Sequence, residues 1–312
     1  MYRSPFLLVA PCFFFFFVGT SAFAGSAWAE SVASPSSSQS IEYSFSVTPV
    51  YQSQSDVEGG GKFRVSRYLL LADAAETIQK TLRLGVNFTY DFEDYGFSEL
   101  RDFAVPKPWD QVHRIGLGAQ LSSARSRNWR FLLAPSIGFS GEGGAEWEKA
   151  FIYGGVISAS RVINQDLTLG AGVGIFEQLE KLRVFPYLVV NWKINDRLRL
   201  SNPLRAGPVG SAGLELAYAP NDTWELGAGG AYRSSRFRLR EGGAVPNGIG
   251  EVKFFPVFAR LSRKIGPHFQ CNLYLGASFL GKLSIGHADG RKLDSAEYDA
   301  APFAALNVTG RF

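Results

Sequence analysis

Residues 81–92 read TLRLGVNFTYDF, with Leu82, Leu84, Val86, Phe88, Tyr90 and Phe92 on one parity and Thr81, Arg83, Asn87, Thr89 and Asp91 on the other. Successive side chains of a β-strand point to opposite faces, so this stretch has one apolar and one polar face. Helical spacing does not fit it. The same period of two returns in HRIGLGAQLS, WRFLLAPSIGF, LTLGAGVGI, SAGLELAY, TWELGAGGAY and FQCNLYLGASF. The pattern defines an all-β chain.

The connections fall into two alternating kinds. Tight turns are expected at ARSRN (124–128), NQD (164–166), ND (195–196), PND (220–222) and GPH (266–268), all rich in turn-forming residues. Longer Gly-rich or charged stretches lie at 93–111, 141–150, 236–250 and 281–299. Short turns at one end and long loops at the other characterise a transmembrane antiparallel up-and-down β-barrel. Fourteen strands are expected, near 41–54, 63–72, 78–92, 112–122, 129–140, 151–163, 167–177, 182–194, 197–204, 211–219, 223–234, 252–264, 269–280 and 300–312. Twelve and sixteen are the neighbouring even counts. They stay open because LADAAET (71–77) makes a poor turn and Pro203 and Pro208 sit poorly in a ladder.

The N-terminus supports export. Arg3 precedes a phenylalanine-rich apolar run, and Ala27 and Ala29 flank Trp28 in a small-residue cleavage pattern. The expected organisation is a signal peptide over 1–29, a flexible Ser-rich leader over 30–40 and a barrel over 41–312. Removing 1–29 leaves Cys271 as the single cysteine, so no intramolecular disulfide is available. It also removes one positive charge from a net +4, and so mild a balance says little about partners. No later run approaches the ~18 to 20 apolar residues of a spanning helix.

Trp129, Trp192, Tyr218, Trp224 and Phe269 fall beside the tight turns on the apolar parity of their strands. Amphipathic rings belong at a membrane–water boundary, so these five are expected to form a periplasmic aromatic girdle. The chain closes on APFAALNVTGRF (301–312), whose apolar positions Ala304, Leu306 and Val308 share the parity of the final Phe312. This ending resembles the C-terminal signature of Gram-negative outer-membrane β-barrel proteins. The pattern also resembles uncharacterised, unknown-function barrel families of this size, in which membership implies no activity. The resemblance implies that Phe312 is a barrel-assembly signal, presented to the outer-membrane assembly machinery. It further implies residence in the bacterial outer membrane, among lipid and lipopolysaccharide.

In such a barrel the apolar parity faces lipid and the other parity lines the interior. The lumen-lining candidates are Arg83, Asn87, Asp91, Arg114, Arg130, Arg183, Glu215, Glu225, Arg233 and Arg311, with arginine in excess. Charges projecting into water would bias solute passage mildly toward anions. Alternatively, Arg and Glu simply pair with one another across the interior. Glycines on the inner parity, among them Gly85, Gly116, Gly172 and Gly227, leave a lumen open or make room for an inward-folded loop. Fourteen strands lie nearer the width that leaves an aqueous channel than the eight that side chains fill. A passive channel or transporter for small solutes is the expected function. A structural or adhesin-like barrel would use loops bearing Trp109, Trp147 and Phe237. A hydrolase would need His113 and His287 near Asp289, Asp110 or Ser284, and no nucleophile motif stands out. No cofactor, metal or nucleic-acid partner is expected, because no paired His or Cys spacing, calcium-loop rhythm, phosphate-cradling loop or basic stripe occurs.

Overall fold

A computed structural model describes residues 41–79, 81–124, 126 and 128–312. The expected signal peptide and leader lie outside the described residues. The strand segments are β1 (Ile41–Asp56), β2 (Lys62–Gln79), β3 (Leu82–Ser98), β4 (Gln111–Ser123), β5 (Trp129–Glu142), β6 (Phe151–Val162), β7 (Leu167–Gln178), β8 (Leu182–Lys193), β9 (Leu198–Ser201), β10 (Gly213–Tyr218), β11 (Trp224–Ala231), β12 (Arg233–Arg238), β13 (Ile249–Ile265), β14 (Phe269–Gly286), β15 (Lys292–Tyr298) and β16 (Ala301–Arg311).

These segments form fourteen staves. Both β11 and β12 pair with β13, so they are one stave interrupted at Tyr232. Likewise β15 and β16 both pair with β14. Each stave hydrogen-bonds to its sequence neighbour, and β16 pairs with β1 to close an antiparallel fourteen-strand barrel. Closure has a physical cause: hydrocarbon offers no hydrogen-bond partners, so a spanning sheet must leave no edge. The first described residues and the last pair directly, because the Tyr43 N–H donates to the Phe312 carbonyl and the Phe312 N–H to the Tyr43 carbonyl, both at 2.9 Å.

The alternation in residues 81–92 sets the wall. Leu84 and Val86 are exposed at 44% and 57%, whereas Asn87 and Asp91 are buried. Ile157, Leu188, Leu226 and Leu275 likewise project outward from β6, β8, β11 and β14. This is the reverse of a soluble sandwich, which would bury those side chains between layers.

Five of the expected turns fall between strands where the sequence places them, and one correction is needed. LADAAET is not a turn: Leu71–Thr77 runs inside β2, laddered to both β1 and β3, and the reversal comes between Gln79 and Leu82. Pairing on both sides overrides the poor strand propensity of Ala, Asp and Glu. The expected long loops also shrink. β3 runs on to Ser98, β13 begins at Ile249, β14 continues to Gly286, and β15 occupies much of the last stretch. At the long-loop end, Gly59, Gly60 and Gly61 all adopt positive φ, and a Cβ on Gly61 would lie 2.6 Å from the Glu99 carbonyl oxygen.

Two departures from a regular barrel position the interior. β9 and β10 span only four and six residues, well short of the ~9 to 11 that cross a bilayer. Residues 202–212 between them leave the wall and fold inward, as Pro203 and Pro208 favour. Where β9 stops, Asn202 takes over: the Val190 N–H donates to its Oδ1, and its Nδ2 donates to the Leu188 and Gly213 carbonyls at 3.0 and 2.9 Å. The second departure is β12, which turns inward after Tyr232 with all six residues buried and reaches Gly141 of β5 through Arg238. Above it, the loop residues Leu100, Phe103 and Trp109 join Tyr95, Phe237 and Tyr298 in a compact apolar core at the long-loop end.

Candidate functional site

The interior carries two polar clusters. In the upper one, Arg67 donates from Nε and Nη2 to the two oxygens of Asp91 at 2.6 and 2.7 Å. Arg114 reaches Asp91 at 2.9 Å and Glu93 at 2.6 Å, and Arg233 contacts both carboxylates at 3.3 and 3.4 Å. Arg114 also donates to the Ser235 hydroxyl, and the Tyr95 hydroxyl donates to Glu93. Three guanidinium groups thus face two carboxylates, all but Arg114 under 9% exposed. In the lower cluster, Arg260 bridges Glu215 and Glu225, Arg199 approaches Glu225, and Arg260 Nη1 donates to Asn272. That cluster is balanced in charge.

The inward segment lies between the clusters. The Ala206 carbonyl accepts from Thr48 Oγ1 at 2.7 Å and from Asn307 Nδ2 at 3.2 Å. The Pro208 carbonyl accepts from Arg67 Nη1 at 2.8 Å. Arg205 pairs with Asp73 at 2.9 Å, and Val209 packs against Phe258, Tyr274 and Phe303. This segment and the upper cluster together narrow the lumen. On the short-turn side, a cavity of about 400 Å³ is lined by Glu42, Arg83, Asn87, Gln270 and Arg311, among others. On the other side lies a chamber of about 120 Å³, bounded by Arg114, Arg233, Arg236 and Phe176, among others. Arg205 and Leu71 line both.

β12 divides the upper interior. Its Arg233 and Ser235 face the upper cluster, while Arg236 and Arg238 address Leu179 and Glu180 in the turn between β7 and β8, and Ser234 donates to Glu251 of β13, which reaches the start of β8. There Glu251 pairs with Arg183 at 2.5 Å and with Lys253 at 3.1 Å, and Arg236 donates to the Leu179 carbonyl at 3.1 Å. Side chains therefore bridge the sector where no strand stands between β8 and β12.

Of the sequence-derived candidates, Asp91, Arg114 and Arg233 meet in the upper cluster, and Glu215 and Glu225 meet in the lower one. Arg83 pairs with Glu42 at 2.6 Å, and Arg183 with Glu251. Asn87 is buried, with its amide against Gly118. Arg130 is half-buried opposite Ser160, and Arg311 lines the larger cavity. Sequence reasoning missed Arg67, Glu93, Arg205, Arg236 and Arg260. Glu93 and Arg236 fall in stretches whose composition reads as loop, and Arg67 shares its parity with the apolar Val65, Leu69 and Leu71.

The girdle candidates Trp129, Trp192, Tyr218, Trp224 and Phe269 are exposed by 36% to 43% beside the short turns. Phe312 stacks on Phe45 with ring centroids 6.1 Å apart, and lies edge-on to Phe269 at 5.8 Å. Two of the three loop aromatics are not displayed: Trp109 and Phe237 are 1% and 0% exposed, and only Trp147 stands out at 62%. Packing among Tyr95, Phe97, Trp109 and Phe237 is the reason. His113 points outward, hydrogen-bonded to Tyr90 at 3.0 Å and packed on Phe92, while Asp289 is held by Arg291 at 2.6 Å in the loop that carries His287. The two histidines thus sit among different neighbours. Among the described residues, no group of three or more His, Cys, Asp or Glu is placed to hold a metal.

A closed antiparallel barrel with an outward-facing apolar wall and a charged interior has the fold of an outer-membrane β-barrel. Residues 95–293 match a domain of unknown function, DUF6268, and the chain belongs to that family. No curated protein matches the chain. Among solved structures, the chain is similar to the COG4313 outer membrane channel from Pseudomonas putida F1, at 8% identity and a TM-score of 0.47, covering 90% of this chain and 100% of that one. It is also similar to the P. putida toluene transporter TodX, at 9% identity and a TM-score of 0.43, covering 87% and 90%. The KdgM porin is similar at 8% identity and a TM-score of 0.34, covering 86% and 99%. At such identities the likeness is one of fold.

Proposed function

We propose that this protein is a passive outer-membrane channel for small solutes, with its constriction formed by residues 202–212 and the Arg67–Asp91–Glu93–Arg114–Arg233 cluster. The observation that carries this reading is that two interior cavities meet at Arg205, on a segment tied to the wall by a few hydrogen bonds and one ion pair. Displacing that segment joins the cavities without breaking the barrel ladder. The excess of arginine over carboxylate in the upper cluster biases passage toward anions. The burial of Trp109 and Phe237 favours a pore over a display of loop aromatics. Lipid and lipopolysaccharide surround the wall, and Phe312 serves the assembly machinery.

The test is single-channel recording of refolded protein in planar bilayers. Steady current with anion preference is expected, and Arg205→Ala increases the conductance or the open fraction. A barrel that carries no current, with or without that substitution, overturns the reading.

A further inference from the structure

We propose that the 120 Å³ chamber is a binding site for a compact organic monocarboxylate, a substrate class that rests on the channel reading above. Arg114, Arg205 and Arg236 line it, and each has one guanidinium nitrogen, Nε, Nη2 and Nε respectively, buried without a hydrogen-bond partner. A buried N–H left unpaired costs free energy that a ligand acceptor recovers. Charge points the same way. The upper cluster holds one cation more than its carboxylates neutralise, and Arg236, 8% exposed, makes no ion pair among the described residues. An anion supplies the missing charge, and a carboxylate matches the planar fork of guanidinium donors.

Size and lining fix the rest of the ligand. Leu69, Leu71, Phe139, Phe176 and Val209 line the chamber and are all under 9% exposed, so its walls also take an apolar body. A volume of about 120 Å³ is close to that of an apolar cavity of ~150 Å³ that accommodates benzene. The site therefore fits a ring or short branched chain bearing one carboxylate. It excludes long acyl chains and polymers.

The experiment titrates benzoate, benzyl alcohol and benzylammonium into the full mature barrel in detergent micelles by calorimetry. Benzoate is expected to bind at least about tenfold more tightly than the alcohol, and the cation not at all. Arg236→Gln is expected to weaken benzoate by roughly tenfold, with Arg236→Lys recovering part of the loss because it restores the charge but not the fork. Ser136→Leu fills the chamber without changing its charge and abolishes binding. Heat-modifiable gel migration confirms that each variant is folded. Equal affinity for benzoate and benzyl alcohol, or benzoate binding untouched by Ser136→Leu, overturns the proposal. Bilayer recording separates the two claims: current without benzoate preference defeats the site and leaves the channel, whereas benzoate binding with no current or benzoate uptake defeats the channel and leaves a binding barrel.

Discussion

Asp91 accepts hydrogen bonds from Arg67, Arg114 and Arg233, so its carboxylate holds three cations, two of them buried, around one point. Removing one member of a buried ion pair leaves the remaining charge uncompensated, which costs about 3 to 5 kcal/mol. Asp91→Ala is therefore expected to lower the unfolding free energy by that amount in urea titrations of refolded protein. A loss below about 1 kcal/mol would mean that water already solvates the cluster. The exposed pair Lys193–Asp196 supplies the contrast, and Asp196→Ala is expected to leave the unfolding midpoint where it is.

At the scale of the element, the two parities of a stave differ in what they tolerate. Leu84→Arg or Val173→Arg puts a charge on the lipid side and should cost ~2 to 4 kcal/mol near the midplane, while Arg83→Ala should cost less. Equal losses on both parities, read from the same urea titrations, would contradict the assignment of faces. Replacing residues 203–211 by a short Gly-Ser linker is expected to raise single-channel conductance severalfold while β8, β11 and the barrel's heat-modifiable migration persist. The count and order of the staves were legible because period two and turn chemistry agree along most of the chain. Legibility failed at Leu71–Thr77, where Ala, Asp and Glu gave no strand signal, and at Phe63, Leu69 and Leu71, which are apolar yet face inward. Arg67 was hidden by the same overlap, since Val65, Leu69 and Leu71 on its own parity are hydrophobic. Pro203 and Pro208 did mark a break in the ladder. That the break folds into the lumen depends on Thr48, Arg67, Asp73 and Asn307, residues far away in sequence, and no local pattern encodes such a meeting.

For the molecule as a whole, closure brings the last residue against the first described strand. Deleting Phe312 removes the ring stacked on Phe45 and the paired hydrogen bonds to Tyr43. Folded yield in the outer membrane is expected to fall sharply, with protein accumulating in the periplasm; undiminished yield would remove Phe312 from any role in assembly. The short β9 and β10 carry a different consequence. At about 3.3 Å per residue, a four-residue strand rises roughly 13 Å, against an apolar band of ~25 Å on barrels of this kind. Acyl chains beside that sector meet a low parapet, and thinning to match it costs a fraction of a kcal/mol for each ångström. The protein is thus unequal around its circumference, and the surrounding bilayer is expected to be dented on one flank.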